Sequence, residues 1–152
     1  MKTTQIKTKQ RVKDKGEVFT APREVNAMLN LIPLDQFTNP LSTWLEPACG
    51  NGNFLIAILA RKVAHCPMDA NQKIHALKVL SSLYGVDIAE DNIAEARLRL
   101  HTWLSEHVSQ EPAYFDEVNS ILTRNIIVAD TLATPTLPFV EYTWNGDTYT
   151  FA

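Results

Sequence analysis

Nine residues, Glu46-Pro47-Ala48-Cys49-Gly50-Asn51-Gly52-Asn53-Phe54, constrain this chain more than any other stretch. The apolar pair Trp44-Leu45 runs into an acid and a proline, two glycines follow, and an apolar helical pattern then begins. That order reads as a strand, a tight turn and a helix start. Glycines let the backbone pass close beneath a ligand, and the first turn of a helix offers unpaired N–H groups at the same place. The loop is therefore read as a nucleotide-type binding turn, with Glu46, Pro47, Ala48, Cys49, Gly50, Gly52 and Phe54 as candidate contacts.

What the turn lacks narrows the ligand. No Lys and Ser/Thr follow the glycines, as a triphosphate-binding loop requires. Leu55 stands where the third glycine of the dinucleotide fingerprint would pack helix on strand. An acid at the mouth repels a pyrophosphate and favours a cation. A ligand with an adenosine part and a positively charged amino-acid part fits, and S-adenosylmethionine is such a ligand.

Four segments then resemble, in order, the adenine-N6 DNA methyltransferases of restriction–modification systems. Gly16-Glu17-Val18-Phe19-Thr20-Ala21-Pro22 is similar to the segment that precedes the cofactor loop in that family. Glu46 to Phe54 resembles the glycine loop, and Tyr84-Gly85-Val86-Asp87-Ile88 the second strand with its ribose-binding acid. Asn125-Ile126-Ile127-Val128-Ala129-Asp130 resembles the third strand, ending in the acid near the adenine. The resemblance implies a Rossmann-like S-adenosylmethionine-binding domain and a role in DNA methylation. It also implies that Phe19 and Thr20 close over the methionine end of the cofactor. From the residues alone, Phe19 reads more readily as core and Thr20 as a cap.

Helical and extended patterns alternate along the chain, which places it in the α/β class with a parallel, helix-covered sheet. Val25, Met28, Leu29 and Ile32 recur at helical spacing up to Pro33, and Leu34–Ser42 reads as loop. Strand Thr43–Glu46 leads into the turn, and a helix from Asn53 to Val63 carries Leu55, Ile58, Leu59 and Lys62 on one side. A second helix sets Ile74, Leu77, Val79 and Leu80 inward. Strand Leu83–Ile88 comes next, then a helix from Glu90 with Ile93, Ala96, Leu100 and Leu104 buried. A short helix Phe115–Leu122 precedes strand Asn125–Ala129. Near the end, Phe139–Trp144 and Asp147–Phe151 flank Asn145-Gly146, a hairpin signal. The expected architecture is a partial Rossmann-like fold, helices on both faces, with a C-terminal β-hairpin.

In such sheets ligands bind beyond the C-terminal strand ends, so Glu46, Asp87 and Asp130 are expected to converge there. Asp87 would accept from both ribose hydroxyls, or cap the following helix. Ile88 would lie against the adenine, or simply pack. Asp130 would accept from the adenine amino group, or serve as a turn acid before Thr131. Glu46 would face the methionine amine.

Charge is uneven. Residues 1–15 hold six basic side chains against Asp14, whereas the remainder has eight basic and sixteen acidic residues. The arm reads as flexible, suited either to phosphates or merely to solubility. The acidic body, residues 16–152, argues against this domain being the main DNA-gripping surface; DNA would be held by a further domain or subunit. No signal peptide or membrane-length apolar run occurs, giving a cytoplasmic expectation. The four histidines read as surface or helix-face residues, and no metal-ligand spacing is present. Methyl transfer to a flipped adenine needs the family's Asn/Asp-Pro-Pro-Tyr/Phe turn. This chain has no Pro-Pro pair. No catalytic residue is therefore assigned. The chain is expected to be inactive by itself, and either a cofactor-binding portion completed by a further segment or partner, or a non-catalytic binding or anti-restriction module.

Overall fold

The structure, a computed structural model, describes residues 5–11, 17–133 and 136–152. Gly16 and the arm residues Lys2, Lys13 and Lys15 lie outside them. In chain order the elements are α1 Pro22–Leu29, α2 Asp35–Thr38, β1 Trp44–Glu46, α3 Asn53–Ala64 and α4 Gln72–Ser81. Then come β2 Leu83–Asp87, α5 Glu90–His107, α6 Pro112–Asn125, β3 Ile126–Val128, β4 Tyr142–Asn145 and β5 Thr148–Phe151.

The first three strands form a parallel sheet in the order β1-β2-β3, with Trp44 opposite Leu83 and Gly85 opposite Ile126. Parallel neighbours cannot be joined by a tight turn, so each connection is a helical crossover. α3 and α4 supply the first, α5 and α6 the second. The middle strand is the most enclosed, Leu83 and Val86 having no exposed surface. A Cβ on Gly85 would come within 2.8 Å of Leu55, so α3 lies directly on that face. At Tyr84, on the other face, an irregular segment takes the place expected of a helix. There Phe139 packs edge-on to the ring and the Val140 carbonyl accepts from the phenol at 2.7 Å.

Helix faces follow their apolar spacing. Ile93, Ala96, Leu100 and Leu104 of α5 are all buried, as their three- and four-residue intervals dictate. Val118, Ile121 and Leu122 of α6 meet the same core. α6 begins at Pro112 and ends at Asn125, longer at both ends than the pattern suggests; a proline suits the first helical turn. α1 stops earlier than expected, at Leu29, leaving Met28 and Ile32 exposed. Asn30 caps it, so Pro33 is not the terminator. The expected loop contains α2, which buries Phe37 against Trp44 at 5.2 Å between ring centroids.

The hairpin forms with its turn one residue later than expected: Asn145 pairs with Thr148, so Gly146-Asp147 make the turn and Trp144 faces Tyr149 instead of Asp147. It is anchored through Tyr142, whose phenol donates to Asn125 Oδ1 at 2.8 Å, and through Trp144, whose indole donates to Ser81 Oγ at 3.0 Å. Asn125 in turn donates to the Ser81 and Leu83 carbonyls, tying α6 to the start of β2. Among the described residues no helix is long and apolar enough to cross a membrane.

Candidate functional site

At the C-terminal ends of the three parallel strands lies a cleft of about 370 Å³. That is at the small end of the range for ligand sites, roughly 300–1,000 Å³. One wall comes from the β1 loop (Pro47, Ala48, Gly50) and the end of β2 (Asp87, Ile88). The residues after β3 (Ala129, Asp130, Thr131, Leu132) supply a second, and Glu17-Val18-Phe19 a third.

The loop is stitched from below. The Cys49 amide donates to the Val86 carbonyl at 2.8 Å, and the Gly52 amide to the Cys49 carbonyl at 3.0 Å. Gly50 and Gly52 have φ of +54° and +94°, a region in which side chains strain the backbone. Their close approaches are made to protein. A Cβ on Gly50 would meet the Phe19 ring at 2.9 Å, and one on Gly52 would meet Ala96 of α5 at 3.2 Å. Gly52 therefore seats α3 against α5 and stands apart from the cleft lining, while Phe19 covers one side of the bend. Arg99 completes the seat, donating to the Asn51 carbonyl at 2.9 Å and to Asn53 Oδ1 at 2.8 Å.

Of the expected contacts, Phe19, Pro47, Ala48, Gly50, Asp87, Ile88 and Asp130 line the cleft. The others do not. Thr20 lends its carbonyl to the Asn53 amide at 2.8 Å, Phe54 packs on the core, and Cys49 is buried beneath the loop. Burial, with the charges of Asp87 and Glu46 nearby, lifts the Cys49 thiol to about 12, which makes it a packing group and a poor nucleophile. Glu46 also falls outside the lining, and burial raises its pKa. The three acids expected to converge are thus two, Asp87 and Asp130, and Glu17 supplies the third.

Asp87 is braced by the protein. Its Oδ1 accepts from the Gly50 amide at 3.2 Å, and its Oδ2 from the Ala89 amide at 3.0 Å and from Asn92 Nδ2 at 2.9 Å. The same Asn92 amide donates to Glu17 Oε2 at 2.5 Å. Asn92 has no exposed surface, so one buried amide holds two cleft acids side by side. Asp130 accepts from the Leu132 amide at 3.0 Å, the turn role that its sequence position also allowed. Ile88 is 52% exposed toward the cleft, which removes the core-packing alternative. Leu132, 98% exposed, was absent from the sequence reading, as were Glu17 as a lining acid and Asn92. The only prior signal for Asn92 is its place one turn into a helix that follows the β2 acid.

Among the described residues, three carboxylates line this cleft, and its lining holds no lysine, arginine or histidine. His75, read as a surface or helix-face residue, lies on α4 and is buried, with Nε2 3.2 Å from the Lys62 carbonyl. No protein-family model matches the chain, and neither curated proteins nor solved structures give a significant match.

Proposed function

We propose that the cleft binds S-adenosylmethionine and that the chain is the cofactor-binding portion of an adenine-N6 DNA methyltransferase, completed by a further segment or partner. One observation carries the reading: among the described residues, the cleft at the strand ends is lined by carboxylates without a basic side chain. Such a lining disfavours phosphate-bearing ligands and suits an adenosine joined to a sulfonium and an amino group. The strand order β1-β2-β3, all parallel, is that of one half of a doubly wound sheet, which supports the Rossmann-like reading. Ile88 and Leu132 offer exposed apolar surface for an adenine ring, and Asp87 an acceptor for ribose hydroxyls. The methyl acceptor, DNA adenine, rests on the family resemblance.

A second reading, a non-catalytic module that binds the cofactor without transferring its methyl group, is favoured by the missing Pro-Pro turn. Calorimetric titration tests the shared step. S-adenosylmethionine is expected to release heat on binding, NAD to give none, and Asp87→Ala to weaken binding by roughly 10- to 100-fold, as expected when a charge-accepted hydrogen bond is lost. Absence of heat with the unaltered protein overturns both readings. Incubation of the purified chain with labelled cofactor and adenine-containing DNA is expected to transfer nothing under either reading; transfer removes the module reading and, with it, the need for a completing segment.

A further inference from the structure

The basic arm reaches the cleft by a specific route. Lys7 Nζ lies 3.1 Å from Asp91 and 3.0 Å from Glu95, both on the first turns of α5. Arg11 pairs with Asp91 and, at 2.8 Å, with Glu17. The Phe19 amide donates to the Gln5 carbonyl at 2.5 Å, and the Lys7 ammonium stands 6.0 Å from the Phe19 ring centroid. Glu17 and Phe19 are cleft-wall residues. The segment 5–11 therefore clasps the Glu17–Phe19 wall to α5 through two cations set among three acids.

We propose that this arm is a salt-labile strap: Lys7 and Arg11 hold the cleft wall shut against α5, and a nucleic-acid backbone that competes for the two cations releases it. The competition follows from the groups themselves. A guanidinium and an ammonium bind phosphate oxygens with the donors they now give to carboxylates, and cannot do both at once. Asp91 and Glu95 are substantially exposed, so mobile ions and a polyanion can reach the pairs. Asp91 is held far below the usual carboxylate range by the hydrogen bond from Arg11, so the clasp persists through mildly acidic conditions. The strap would couple engagement of nucleic acid to access of the cleft, whatever ligand the cleft takes.

Amide hydrogen exchange at Phe19 in the full chain, followed by NMR beside the core amide of Leu59, tests the strap. Raising sodium chloride from about 0.05 to about 0.5 M shortens the Debye length severalfold and is expected to speed Phe19 exchange roughly tenfold, with Leu59 unchanged. A duplex oligonucleotide added at low salt is expected to do the same. Two paired variants separate the strap from simple packing. Asp91→Asn with Glu95→Gln frees Lys7 and leaves Arg11 held by Glu17 alone; Phe19 should exchange fast and the oligonucleotide should bind several-fold more tightly. Lys7→Gln with Arg11→Gln should also exchange fast yet bind more weakly, the slope of log affinity against log salt falling by about 2. Phe19 exchange that ignores salt and both variant pairs overturns the strap. An oligonucleotide that leaves Phe19 protected, or that binds the acid variants no more tightly, overturns the competition. Cofactor titration is a separate readout, so a failure there leaves these outcomes standing.

Discussion

The two ends of the parallel sheet each bury one polar side chain completely, and they use it in opposite ways. Where the strands begin, Lys62 of α3 donates at 2.7 Å to the Ser42 carbonyl ahead of β1 and at 2.7 Å to Ser82 Oγ ahead of β2. Where they end, Asn92 of α5 donates to Asp87 and Glu17. At the first end a potential charge is surrounded by neutral acceptors, and burial pushes the lysine down to about 7. At the second the charges belong to the carboxylates, and the buried partner is a neutral amide. An enclosed ammonium can only tether two strand starts, whereas acids braced from below keep their outer surface for a ligand. Stability is built into one end, and the proposed recognition surface lies at the other.

Gly52→Val tests the recognition end hardest. The residue would have to adopt φ near +94° with a Cβ 3.2 Å from Ala96, so a loss of about 4 kcal/mol is expected in urea denaturation. A loss below about 1 kcal/mol would mean the loop needs no such turn. Lys62→Met probes the other end through pH. The unfolded lysine holds its proton up to about 10.5 and the folded one only to about 7, so the unfolded chain binds more protons between those values. Stability of the natural protein should therefore rise between pH 7 and 9, by about 2 kcal/mol, and Lys62→Met should remove that rise. Equal pH profiles for the two proteins would dissolve the contrast. Smallest of the three, Asp130→Asn at the exposed rim is expected to weaken S-adenosylmethionine binding about tenfold by calorimetry. Its melting temperature should stay within a degree or two, because its one hydrogen bond, to Leu132, is exposed.

Much of the fold was legible because helix faces repeat. The spacing of Ile93, Ala96, Leu100 and Leu104 needs no tertiary information, and even Lys62 falls on the apolar side of its helix by count. The parallel strands were legible to within one residue at each end, the first hairpin strand only to within three, and the cleft was placed correctly at the parallel strands' ends. The site's composition was legible only in part. Asp87, Ile88 and Asp130 reach the cleft, but Glu46 is half-buried outside its lining. Glu17 enters through a contact 75 residues long, with Asn92, which no local pattern announces. The hairpin register slipped for a similar reason. Asn145-Gly146 specifies a turn, but where the strands pair is settled by Tyr142 and Trp144 finding Asn125 and Ser81.

By itself, the order of apolar runs, glycines and acids determined an α/β chain whose glycine turn lies between a short strand and a helix, with acids at the strand ends. Those are consequences of backbone sterics and periodicity, which act over a few residues. Only the tertiary structure decided which acids share the cleft, that Phe19 and Ala96 fill the spaces beside the two glycines, and that the arm's cations rest on α5. These depend on distances between segments far apart in the chain, fixed by packing a common core rather than by any local rule.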